Sequence, residues 1–65
     1  MKRERVFERV NQMINSAKNF RLEGCFQLAS NHLMQAYGYV TCAYDMDAIT
    51  YDDYIALNDI IDQAL

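Results

Sequence analysis

A chain of 65 residues can form one domain at most, and at that size it buries only roughly 60% of the surface its unfolded form exposes, so its core is thin. Apolar residues make up 52%, which argues against disorder, while the absence of proline and the presence of only Gly24 and Gly38 remove most of the punctuation that sheets and turn-rich folds require. The net charge of −3 is unevenly spread, because all six Lys and Arg residues precede Leu22 and none follows it. An all-α fold remains. The basic start Lys2-Arg3-Glu4-Arg5 is followed by no apolar run of export-signal or membrane-spanning length, so the expected setting is cytoplasmic with no membrane partner.

The first element reads from an apolar stripe at Val6, Val10, Met13, Ala17 and Phe20, flanked by Phe7 and Ile14. Intervals of three and four are those of an amphipathic helix, predicted here over 3–19. Extending the stripe past Phe20 would put Gly24 and Gln27 on the apolar face, so the phase break places a turn near Asn19 to Gly24.

The second element carries the longest periodic signal. Leu22, Phe26, Ala29, Leu33, Ala36, Val40 and Ala43 alternate by four and three, with Cys25, His32, Tyr39 and Met46 beside them at intervals of seven. The pattern predicts one long central helix over 22–46, packing lengthwise on its neighbours. Alternation of Ala with larger residues suits close approach of another helix. A helix of about 37 Å would outreach its neighbours and leave apolar surface bare, so the expectation is a homodimer made through Phe26, Ala29, Leu33, Ala36 and Val40. A monomeric three-helix bundle is the simpler alternative.

The third element is marked at its start. Thr50 and Asp53 have the spacing of a capping box, and Ile49 before the cap can pack near Tyr54 as a hydrophobic staple. Asp52 and Asp53 fall in the first turn, where the helix dipole favours negative charge. A helix over 51–64 follows, with Tyr54, Leu57, Ile61 and Ala64 or Leu65 on its seam and Ile60 beside it. The short link from Asp45 to Thr50 would make helices two and three antiparallel neighbours, and the whole a three-helix antiparallel bundle.

Catalytic and metal patterns are poor. Cys25, His32 and Cys42 are too far apart along one helix to share a metal ion, since seven residues rise about 10 Å. Cys25 and Cys42, about 25 Å apart on the same helix, could not bridge within one chain. Asp45, Asp47 and Thr50 resemble the start of a calcium loop, but Thr50 stands where Gly is needed and Ala56 where Glu is needed. No phosphate loop or dinucleotide fingerprint occurs. The expectation is a non-enzyme without cofactor or metal.

What the chain does offer is a segregated surface. Residues 1–21 hold six basic and two acidic side chains, a balance of +4, and residues 22–65 hold seven acids and no base, −7. All five tyrosines fall between 37 and 54. Complementary packing of a basic first helix on an acidic third is one explanation of the charge. Another is a docking surface of Tyr44, Asp45, Asp47, Tyr51, Asp52, Asp53 and Tyr54 for a protein with a basic surface, because tyrosine offers interfaces a broad apolar face and a hydroxyl. The sequence therefore suggests an adaptor, inhibitor or regulator acting by protein–protein interaction. Alternatives are a nucleic-acid-associated factor using Lys2, Arg3, Arg5 and Arg9, for which no binding motif is present, and a structural subunit of a larger assembly.

Overall fold

The structure, a computed structural model, describes residues 2–65 and consists of three helices, with no strand among the described residues: α1 (Arg3–Leu22), α2 (Phe26–Asp45) and α3 (Tyr51–Ala64). Its principal extents are 36 × 17 × 13 Å, a compact rod about one helix long. α1 lies chiefly against α2, α2 also against α3, and the contact between α1 and α3 is the smallest of the three.

Both interhelical turns are closed by the same hydrogen-bond pattern. At the end of α1 the Cys25 amide donates to the Phe20 carbonyl at 2.8 Å and the Gly24 amide to that of Arg21 at 3.0 Å, with Gly24 at φ 81°. At the end of α2 the Ala48 amide donates to the Ala43 carbonyl at 2.9 Å and the Asp47 amide to that of Tyr44 at 3.0 Å. These are two Schellman motifs, which require a left-handed residue just past the helix and satisfy carbonyls that would otherwise be orphaned. Glycine fills that position in the first turn. Asp47, at φ 60°, fills it in the second.

The first turn corrects the central helix. Leu22 belongs to α1, and α2 begins at Phe26, so the apolar register that runs through 22–46 in the sequence is interrupted by a tight reversal. Leu22 and Phe26 consequently face outward, 86% and 65% exposed. α1 and α2 have 20 residues each, so no overlong central helix exists.

The core is formed by Val6, Val10, Ile14 and Ala17 of α1, Ala29, Leu33, Ala36, Val40 and Ala43 of α2, Ile49, and Leu57, Ile61 and Ala64 of α3. Alanine at alternate contact positions of α2 lets the neighbouring helices approach it closely. Ala29, Leu33, Ala36 and Val40 are thus covered by the chain's own helices. Of the residues expected to carry self-association, Phe26 alone is exposed, and a second copy could reach the other four only by opening the bundle. Ile14 is buried more deeply than Met13 because α1 faces both α2 and α3.

α3 begins as its spacing predicts. The Asp53 amide donates to Thr50 Oγ1 at 3.1 Å and the Thr50 amide donates back to Asp53 Oδ2 at 3.2 Å, a reciprocal capping box. Ile49 is buried in the core against which Tyr54 packs.

Candidate functional site

The side chains singled out in the sequence come together at the corner where α2 turns into α3. Tyr44, one residue before the end of α2, has its ring centroid 4.9 Å from that of Tyr54 and 6.0 Å from that of Tyr51. Tyr51 and Tyr54, one helical turn apart on α3, are 6.2 Å apart. These are ordinary offset and tilted aromatic separations. Tyr44 and Tyr54 are half-buried and hold the platform, while Tyr51 is 59% exposed and forms its outer edge. Asp45, Asp47 and Asp52, next to these tyrosines or to the turn in sequence, are all exposed, as is Met46.

Asp53 does not belong with these. It is 9% exposed, and its carboxylate receives Arg3 in two hydrogen bonds, Nε to Oδ2 at 2.9 Å and Nη2 to Oδ1 at 3.0 Å, besides serving the Thr50 cap. The Arg3 guanidinium also lies 4.6 Å over the Phe7 ring, a cation–π contact. The Arg3 hydrogen bonds hold the Asp53 carboxyl below the usual carboxylate range, against the opposing effect of partial desolvation. The same pairing raises Arg3 further above its already high value. Asp53 is therefore a tie between the starts of α1 and α3, its carboxylate already engaged by three donors.

The charge segregation suggests that α1 and α3 complement each other, but no local pattern singles out this pair, whose members are 50 positions apart. Asp47 is the other feature that pattern reading misses. A non-glycine residue at positive φ is uncommon and costs strain, although Asp tolerates it better than most. Its left-handed backbone closes the turn that ends α2 and leads into α3.

The remaining charges do not neutralise one another across the helices. Beyond Arg3–Asp53, the ion pairs among the described residues amount to Arg5–Glu8 at 3.7 Å, within α1 and exposed on both sides. Arg9 donates to Gln12 Oε1 at 3.3 Å. Basic α1 and acidic α3 are thus joined by one ion pair, and most of the segregated charge faces outward.

The other candidate groups are scattered. His32 is half-buried with its ring 5.1 Å from that of Phe20, Cys25 is half-buried in the first turn, and Cys42 is exposed on α2 with its thiol 3.8 Å from the Met46 sulfur. Cys25 precedes α2, so the two cysteines do not share a helix. Among the described residues there is no cavity, and no three His, Cys, Asp or Glu side chains are grouped to hold a metal ion. No described helix is long and apolar enough to cross a membrane. The chain matches no known protein family, no curated protein and no solved structure.

Proposed function

We propose that this chain is a small protein-binding adaptor or inhibitor that works in the cytoplasm and presents the Tyr44–Tyr51–Tyr54 corner, with Asp45, Asp47 and Asp52, to a partner protein carrying a basic surface. The observation that carries the reading is the tyrosine cluster with its exposed edge at Tyr51, on a segment whose exposed neighbours Asp45, Asp47 and Asp52 are acidic and which has no Lys or Arg from residue 22 onward. Partly exposed tyrosines supply contact area at little entropic cost, and the neighbouring carboxylates attract and orient a cationic partner. The scaffold we infer is an antiparallel bundle. In support, Tyr44 meets Tyr54 while Tyr37, two turns earlier on α2, hydrogen-bonds Asp62, two turns later on α3.

Capture from native-host lysate on the tagged chain, with and without nuclease, tests this. The reading requires one stoichiometric protein partner that survives nuclease and is lost when Tyr51→Ala and Asp52→Lys are combined. Recovery only of proteins that disappear with nuclease would replace it with a nucleic-acid reading centred on Lys2, Arg5 and Arg9, since Arg3 is already engaged by Asp53.

A further inference from the structure

Two exposed stripes with the same spacing run along α1 and α3. From the N-cap Lys2 into α1, Lys2, Arg5, Arg9 and Gln12 follow one another at intervals of three, four and three, and all are exposed. On α3, Asp52, Ile55, Asp59 and Asp62 repeat those intervals and are also exposed, with Ile55 an outward-facing apolar side chain between carboxylates. Each stripe is about 15 Å long.

Their directions follow from the buried positions. Leu57 and Ile61 point α3 at the core, and at 3.6 residues per turn the Asp52–Ile55–Asp59 line lies on the far side of that helix, while Asp62, which accepts a hydrogen bond from Tyr37, sits at the edge that meets α2. On α1, Arg3 marks the edge that meets α3 and Phe20 the edge that meets α2. Lys2, Arg5 and Arg9 lie beyond the α2 edge. The basic and acidic stripes therefore face away from each other and do not pair within one copy; Arg5 has only an exposed 3.7 Å contact with Glu8 on its own helix, and Arg9 a neutral partner in Gln12.

We propose that a second copy of this chain does so, with the acidic stripe of α3 on one copy docking on the basic stripe of α1 on the next, head to tail. Charge complementarity selects the occupant, and Ile55 gives the contact an apolar centre. Because the two surfaces are different and face opposite ways, the contact is heterologous and does not close into a two-fold pair; each added copy leaves one basic and one acidic stripe open. Exposed ion pairs are individually weak and the net charge of −3 opposes assembly, so association is concentration-dependent and salt-sensitive. The inference is independent of the docking corner except at Asp52, and pure protein tests it without any other partner.

Sedimentation equilibrium of the pure chain at low salt should show a weight-average mass that keeps rising with concentration and returns to that of the monomer at high salt. Arg5→Glu with Arg9→Glu, and separately Asp52→Lys with Asp59→Lys, should each weaken association by about tenfold or more, the effect of reversing two exposed pairs. An equimolar mixture of the two variants should associate again, because every junction between unlike chains then brings opposite charges together. Helical circular dichroism monitors the fold. Neutral versions, Arg5→Gln with Arg9→Gln and Asp52→Asn with Asp59→Asn, give the loss alone should a reversal cost helicity. A wild-type chain that stays monomeric at low salt, a closed dimer indifferent to salt, variants that associate unchanged, or a mixture that fails to recover would each overturn the proposal.

Discussion

Asp47 is the residue where folding and the proposed function pull apart. Its position in the second Schellman turn suits glycine, yet an aspartate occupies it at φ 60°. Asp47→Gly should raise stability by about 0.5–1 kcal/mol, read by urea unfolding, by relieving left-handed backbone strain. If the aspartate is there for contact, the same variant should retain less partner in a capture assay. Arg3 and Asp53 are structural in the opposite sense. Because the folded carboxyl of Asp53 titrates below the usual range, the pair contributes its full stability above the ordinary aspartate value of ~3.9 and loses it as pH falls through the lowered folded value. Arg3→Met should be less stable than wild type at pH 7, and the gap should close as unfolding is followed down to pH 2. A gap that stays constant over that range would show that Arg3 acts through its packing on Phe7 instead.

At the level of the elements, what could be read in advance was what local chemistry encodes. Thr50 and Asp53 specify the start of α3 through three-residue spacing alone, and both hydrogen bonds are present. Thr50→Ala should cost about 1 kcal/mol by removing that cap. The start of α2 was not legible from periodicity, because Leu22 and Phe26 happen to continue the apolar register although three turn residues separate the helices. Gly24 was the available signal, and its left-handed conformation is what ends α1. The length mismatch that favoured dimerisation through the central helix vanishes with that turn, and Leu33 becomes a core residue with no exposed surface. Leu33→Ala should therefore cost about 2–5 kcal/mol in chemical denaturation, a large share of what a fold this small can have. The aromatic corner was legible as a cluster in sequence, but the division within it was not, since the role of Asp53 depends on a partner 50 positions away.

For the whole molecule, the fold uses one ion pair to join the basic α1 to the acidic α3 and leaves most of the remaining charge exposed. That arrangement adds little to the stability of a monomer, since exposed charges contribute little when unpaired. It is what a chain needs if its surfaces are for other molecules. Asp52 and Asp53, adjacent in sequence, separate the two roles: one exposed in the first turn of α3, the other buried in the cap and the Arg3 tie. The most direct test is to reverse each alone, as Asp52→Lys and Asp53→Lys, and to follow helicity by circular dichroism alongside partner capture. The account predicts that Asp52→Lys keeps its helicity and loses the partner, while Asp53→Lys loses thermal stability. Capture undiminished by Asp52→Lys, or a loss of fold equal in both variants, would contradict it.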